Sequence, residues 1–218
     1  MKLVADSFAW PFHGDWRPKW AIGLLCVALL PLLFIPLLGY AIHATRAAQT
    51  DPSTGPPPWH LSGRLLRDGF WTSLAVTVYT LPFWLALNPL AGLLFRVELW
   101  HSEDNDVARL YAHVLAALLL ALPWGLWLLL VMPHATARFA ASGRPGDLFN
   151  FPAAIGAIGP DFATWNVSAA AIVTGWLVGL ACAGLLCIGV VPGIFYAILV
   201  SAHATAALAR ESSHLPAG

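Results

Sequence analysis

An all-α, polytopic helical membrane protein is the fold class this sequence predicts, and three observations carry it. Charged residues make up 10% of the 218 positions against 59% hydrophobic, with a mean hydropathy of +0.72, whereas soluble domains carry roughly 25% charged residues. Four apolar stretches, 20–45, 70–95, 110–132 and 167–209, contain no Asp, Glu, Lys or Arg. Each meets the roughly 20 residues that a helix rising about 1.5 Å per residue needs to cross a core about 30 Å thick. Eleven tryptophans supply an aromatic belt, with Trp59, Trp100 and Trp165 expected at membrane interfaces. A net charge of zero gives no basic surface for nucleic acid, so the expected partners are the lipid bilayer and a membrane protein or a second copy of the chain.

The opening residues 1–19 are not expected to be a signal peptide: Asp6 and Asp15 interrupt them and no continuous apolar region forms. Phe8, Trp10, Phe12 and Trp16 suit an approach along the headgroups. The next stretch, 20–45, is written again near the other end of the chain. Trp20–Ile42 and Trp176–Ile198, offset by 156, agree at ten of 23 positions, including Trp20 with Trp176, Cys26 with Cys182, Pro36 with Pro192 and Tyr40 with Tyr196. At 26 residues, 20–45 is too short for two crossings. It is either one crossing kinked at Pro31 and Pro36 or a re-entrant hairpin.

Charge arbitrates, since Lys and Arg of short loops collect on the cytoplasmic side. A full crossing would split the eleven basic residues five to six. A hairpin leaves nine on one side (Lys2, Arg17, Lys19, Arg46, Arg64, Arg67, Arg138, Arg144, Arg210) and only Arg96 and Arg109 on the other. The hairpin is therefore favoured, with both termini cytoplasmic in a bacterial inner membrane. The repeat then reads as two parallel hairpins, the first shallow and the second of full depth.

Residues 46–69 begin as a Pro-rich linker and end as a basic amphipathic stretch, with Leu61, Leu65 and Leu66 beside Arg64 and Arg67. That composition suits an interfacial helix on an anionic leaflet. Full spans are expected over 70–95 and 110–132, broken near Pro82 and Pro89 in the first. Between them, the acidic loop 97–106 lacks the glycine and closing Glu of a calcium loop, so a solvated loop is expected there and no metal site. Loop 133–166 carries Leu148, Phe151, Ile155 and Ile158 at helical spacing, a second interfacial helix. Residues 167–209 hold two spans, 167–188 and 191–209, parted by Gly189, Pro192 and Gly193, with a polar tail over 211–218.

Polar groups at membrane depth are the functional suspects, and here they are His113 and His203, with His43 and His134 near helix ends and Asn88 and Asn166 as anchors. No carboxylate accompanies them within a span, so hydrogen bonding to a neighbouring helix is the expected role. No catalytic, cofactor-binding or metal residue is predicted. The three cysteines lie in apolar segments without a CxxC and read as buried thiols. Gly175 and Gly179 form a GxxxG, extended by Ala183 and Gly184, which allows close helix approach.

Several short patterns recur in a fixed order. They are Trp20 and Gly23, Pro36 with Gly39 and Tyr40, Arg46, the Pro-Pro-Trp ending at Trp59, and Gly69. Met132-Pro133, Ala140–Gly143, Asp147-Leu148-Phe149, Cys187-Ile188-Gly189 and His203 follow. In this the chain resembles the DUF4013 family of uncharacterised bacterial and archaeal integral membrane proteins over about residues 15 to 210. The resemblance implies a multi-pass inner-membrane protein and supplies no catalytic residues. The function expected is a non-enzymatic accessory, scaffold or assembly component of a membrane complex. A carrier or pore for a small or lipid-like molecule is the alternative, and a membrane enzyme built on His113, His203 or the acidic loop comes third.

Overall fold

The computed structural model describes residues 2–97, 105–184 and 189–212. Among them all regular structure is helical. The order is α1 (Lys2–Ala9), a 3₁₀ turn (Trp10–Phe12), α2 (Trp16–Ala28), α3 (Leu30–Thr50), α4 (Gly63–Arg96), α5 (Asn105–Ser142), α6 (Gly146–Phe149), α7 (Phe151–Gly156), α8 (Phe162–Ala181), a second 3₁₀ turn (Cys182–Gly184) and α9 (Val190–Ser212). Five helices are long and apolar enough to cross a membrane: Leu30–Thr50, Gly63–Arg96, Asp106–Ser142, Phe162–Ala181 and Val190–Ala209. The chain is an all-α multi-pass membrane protein.

Its helices form two compact units, one of Met1–Ser73 with Val131–Gly218 and the other of Leu74–Leu130. In the first, the α8–α9 pair is the most extensive, and α3 lies along α9 as the next. Close helix approach is made possible by glycine. A Cβ on Gly179 would stand 2.5 Å from the Gly193 carbonyl oxygen, and one on Gly69 would stand 2.0 Å from that of Ile35. These are backbone atoms and cannot swing aside, so only hydrogen fits at the α8–α9 and α3–α4 crossings.

The segment 20–45 doubles back on itself. Helix α2 ends at Leu29, and Leu33 is again non-helical at φ −109°, ψ 18°. The rings of Trp20 and Tyr40 both reach Phe195 of α9, at 5.4 and 6.1 Å. Below them the flanking segments meet: a Cβ on Gly55 would lie 2.6 Å from the His13 carbonyl oxygen, and one on Gly14 would lie 3.2 Å from that of Thr54. The turn forms because Pro31 cannot donate to the helix before it. Pro36 lies inside α3, three residues after the non-helical Leu33, and α3 is kinked there.

Several boundaries differ from the sequence expectation. The basic stretch 63–69 is the first two turns of α4, not a separate interfacial helix, because nothing in it breaks the helix and Gly69 serves a crossing. Helix α4 also runs unbroken through Pro82 and Pro89. The Thr80 hydroxyl donates to the Val76 carbonyl oxygen at 2.8 Å in the turn before Pro82. Helix α5 continues to Ser142, so 133–142 is helix, and only the short α6 and α7 follow. Leu148 of α6 is fully buried while Ile155 is exposed. Helix α8 stops at Ala181, and a Cβ on Gly184 would meet nothing within 4 Å, so Gly184 takes no part in the α8–α9 crossing. Trp10 is fully buried, and Trp59 is half-buried and stacked on Tyr40. Trp100, Cys187, Ile188 and most of the acidic loop lie outside the described residues.

The unit Leu74–Leu130 consists of the matching portions of α4 and α5 and buries little. Leu85, Leu93, Leu118, Leu122 and Trp84 are all exposed. Two shallow recesses lie among its described residues. One, of about 390 Å³, is lined by Pro82, Phe83, Leu120, Pro123, Trp124 and Trp127. The other, of about 280 Å³, lies between Asn88, Phe95, Arg109 and His113.

Candidate functional site

The strongest gathering of polar groups lies where α3 ends, α4 begins and α5 ends. On α4, Arg64, Arg67 and Asp68 fall at i, i+3 and i+4 and therefore share a face. The Ser62 hydroxyl accepts the Leu65 amide at 3.2 Å and steadies the start of that helix. Asp68 is the centre. Its Oδ2 accepts from Arg46 Nη2 at 3.1 Å and lies 3.9 Å from Arg64 Nε, and its Oδ1 accepts from Arg67 Nη2 at 3.1 Å. The Asp68 side chain is 2% exposed, against 20% for Arg46, 53% for Arg67 and 62% for Arg64.

Burial of this kind makes the carboxylate dependent on Arg46, the least solvated of the three partners, since an unpaired buried charge is costly. Arg46 has a second bond: its Nε donates to the Ala140 carbonyl oxygen at 2.8 Å. That carbonyl belongs to the last turn of α5, which leaves acceptors without helical partners and carries partial negative charge. One turn further along α3, Gln49 Nε2 donates to the Ala137 carbonyl oxygen at 2.9 Å. Arg138 then pairs with Asp147 at 3.1 Å, and the Ser142 hydroxyl donates to the same carboxylate, tying α5 to α6. One carboxylate cannot neutralise three guanidiniums, so the exposed faces of Arg64 and Arg67 remain positive. The arrangement clamps three helix ends together. It contains no nucleophile and base in sequence, and its chemistry is that of a structural ion cluster with spare cationic donors.

An aromatic layer lies next to it. Trp59 stacks on Tyr40 with ring centroids 3.8 Å apart and donates its Nε1 to the Lys19 carbonyl oxygen at 2.9 Å. The Tyr40 hydroxyl donates to the Pro57 carbonyl oxygen at 2.9 Å, so the Pro-rich linker seals the open end of the α2–α3 hairpin. Trp20 Nε1 donates to the Pro11 carbonyl oxygen at 3.0 Å, and the Tyr196 hydroxyl to that of Phe8 at 3.2 Å. Trp20 and Tyr196 are 6.4 Å apart, ring to ring. Of the six repeat residues, Trp20, Tyr40 and Tyr196 thus share this layer. Trp176 stands exposed on α8, and Pro36 and Pro192 lie within α3 and α9.

The histidines separate. His203 Nδ1 lies 2.9 Å from the Ser7 hydroxyl, which itself donates to the Leu3 carbonyl oxygen at 2.8 Å; the His203 ring faces Trp10 at 5.3 Å. Both Ser7 and His203 are buried. The pair tethers α1 to α9. His113 is exposed, with Nδ1 2.8 Å from the Arg109 carbonyl oxygen of its own helix. His134 is buried on α5, and its Nε2 has no hydrogen-bond partner. Gly175 and Gly179 both face α9, the former against Val200. Cys26 and Cys182 are free thiols. Among the described residues, no three His, Cys, Asp or Glu side chains gather as a metal site would require.

Sequence reasoning passed over Asp68, Arg46 and Ser7 as site residues. The available signal was Asp68 itself, a lone carboxylate in the basic run from Arg64 to Arg67. Many of the ordered patterns noted in the sequence converge at this end of the molecule: Gly39 with Gly69, Tyr40 with Pro57 and Trp59, Arg46 with Ala140, and Asp147. A family model described as "Protein of unknown function (DUF4013)" matches residues 22–184. No curated protein and no solved structure matches the chain.

Proposed function

The chain belongs to the DUF4013 family, and we propose that it is a non-enzymatic scaffold or assembly component of a membrane complex. The observation that carries this reading is the difference between its glycines. Gly179, Gly193, Gly39 and Gly69 are filled by a neighbouring backbone, whereas a Cβ on Gly92 or Gly125 would meet nothing within 4 Å. Small residues left open on an apolar helix allow a partner helix to approach closely, which is how helices associate in lipid. The arginine-clamped unit would hold the fold while the portions of α4 and α5 in Leu74–Leu130 meet the partner. Native mass spectrometry of the protein purified from its own membrane in mild detergent tests this. Other subunits in fixed ratio are expected, and a chain that always emerges alone would end the reading.

A second reading, a carrier for a small or lipid-like molecule, is favoured by the 390 Å³ recess. Trp124 lines it, and the Trp124 Nε1 is buried without a partner. That donor would hold a polar atom on an otherwise apolar ligand, and a lone chain retaining such a molecule in the same experiment would put this reading first. For orientation we propose an inner membrane with both termini cytoplasmic, supported by the nine-to-two division of basic residues and by the doubled-back course of 20–45. A Ser53→Cys variant is expected to react with an impermeant maleimide from the cytoplasmic side, and reaction from the outer side alone would reverse the assignment.

A further inference from the structure

Sequence alone gave the second hairpin, 167–188 with 191–209, full depth. Charge could not test that depth, because no Asp, Glu, Lys or Arg lies between Asp161 and Arg210. We infer that the α8–α9 hairpin is as shallow as the α2–α3 hairpin, and that both enter the acyl region of one leaflet from the same side.

Three independent observations within the unit Met1–Ser73, Val131–Gly218 support this. The first is where bulky apolar side chains are exposed. On α2 and the turn after it they are Ile22, Leu25, Leu29 and Leu32; on α8 they are Val173, Trp176, Leu177, Val178 and Leu180. The first set lies at its turn, and the second runs from the level of Gly175, which faces Val200, to the end of α8. Earlier on α8 the exposed positions after Phe162 are Ala163, Asn166 and Ala170, which are small or polar.

The second is the aromatic layer. Trp20 and Tyr196 stand side by side. At about 1.5 Å per residue, Trp20 is about 14 Å below Leu29 and Tyr196 about 9 Å below Val190. Aromatic residues of mixed character settle at the headgroup level. Turns 9 to 14 Å beyond that level stop within the near half of a core about 30 Å thick.

The third is what covers the other half of the hairpins. Helix α1, with exposed Lys2 and Asp6, packs against α8 and α9, and the Ser7–His203 bond fixes it there. The far half of α3 carries Arg46 and Gln49, bound to the end of α5 beside Asp68. A helix bearing Lys2 and Asp6 cannot lie at bilayer depth without a large penalty. The halves of α8 and α9 that it covers therefore lie at the headgroups or in water. The occupant of the apolar end is the acyl layer of one leaflet, and the two copies of the repeat enter it together.

Nitroxide depth measurements separate the two topologies. Single cysteines are placed at Ala170, Leu180 and Leu29 of a chain whose own cysteines are replaced, and each is spin-labelled in vesicles of phosphatidylethanolamine and phosphatidylglycerol. Ala170 is near the midpoint of α8, so a full crossing makes it the deepest site and brings Leu180 towards the far surface. Shallow insertion reverses that order. Leu29 is then the deepest of the three and Leu180 lies in the same leaflet just beyond the aromatic layer, both with higher collision rates for oxygen than Ala170, which collides mainly with a water-soluble nickel complex. Ala170 deeper than Leu180, or Leu180→Cys labelled by an impermeant maleimide from the far side, would overturn the inference. The maleimide result decides alone if Ala170→Cys does not fold.

Discussion

Helices α9 and α5 are both apolar enough to cross a membrane, and α5 is the more apolar of the two, yet 67% of the α9 window is buried inside the protein against 11% of that of α5. Hydropathy does not separate them. Side-chain size does. Helix α9 buries Ala197, Ala202, Ala204, Ala206 and Ala207 around Phe195, Leu199 and Val200, and Gly193 lets α8 touch its backbone. The α5 portion within Leu74–Leu130 exposes Leu110, Leu118, Leu119, Leu122 and Leu126. In lipid, leucine gains nothing by leaving acyl chains for another leucine, whereas small residues permit dense backbone packing. The unit of small residues and clamped charges is therefore expected to be the more stable of the two.

The largest effect should come from the clamp. Asp68→Ala leaves Arg46 part-buried and unpaired, and removing one partner of a buried pair costs about 3 to 5 kcal/mol. The low end applies, because Arg64 and Arg67 are more than half exposed and water screens them. Leu122→Ala, at a residue 80% exposed, should cost close to nothing. Equilibrium unfolding in mixed micelles compares the two directly. Equal losses would erase the distinction between the units.

Glycine substitutions sharpen the same contrast at smaller size. Gly69→Ala places a methyl 2.0 Å from the Ile35 carbonyl oxygen and 2.9 Å from the Gly39 nitrogen, and such overpacking costs about 1 to 3 kcal/mol. Gly92→Ala enters open space on an exposed helix and should be neutral, or stabilising by up to about 1 kcal/mol from helix propensity. Opposite signs in thermal unfolding are expected. A destabilising Gly92→Ala in the purified chain would mean that this position is already packed.

Much of this architecture could be read from the sequence because membrane helices are written in long apolar runs, and the doubled-back segment showed in the charge balance and in the repeat of Trp20, Tyr40 and Tyr196. The ends of helices could not. Residues 63–69 read as a separate interfacial helix and 133–142 as part of a loop, but their charges find partners elsewhere (Asp68 with Arg46, Arg138 with Asp147), and α4 and α5 continue through them. The packing of Trp59 was hidden for a related reason. An indole beside prolines gives no sign that the linker returns it to Tyr40. The ion cluster draws Arg46 from 22 residues before Asp68 and Ala140 from far along the chain, and no local pattern records such a meeting.

The smallest expected effect lies in that linker, part of the well-packed unit although it is a loop. Asp51 follows the end of α3, and its Oδ1 accepts the Ser53 hydroxyl at 2.6 Å and the Ser53 amide at 2.9 Å. These bonds, the hydroxyl first, hold its carboxyl below the ordinary value of 3.8. A carboxyl depressed in the folded state contributes stability above its unfolded value and loses it as pH falls through the folded one. The turn that starts the linker back towards Trp59 should therefore be intact at neutral pH and loosen only below 3.8. The Ser53 amide resonance should shift in that range in the native protein and stay fixed in Asp51→Asn, with global unfolding hardly changed in either. An amide that titrates identically in both proteins would show that the linker takes its course from the stacking of Trp59 on Tyr40 and owes nothing to its first turn.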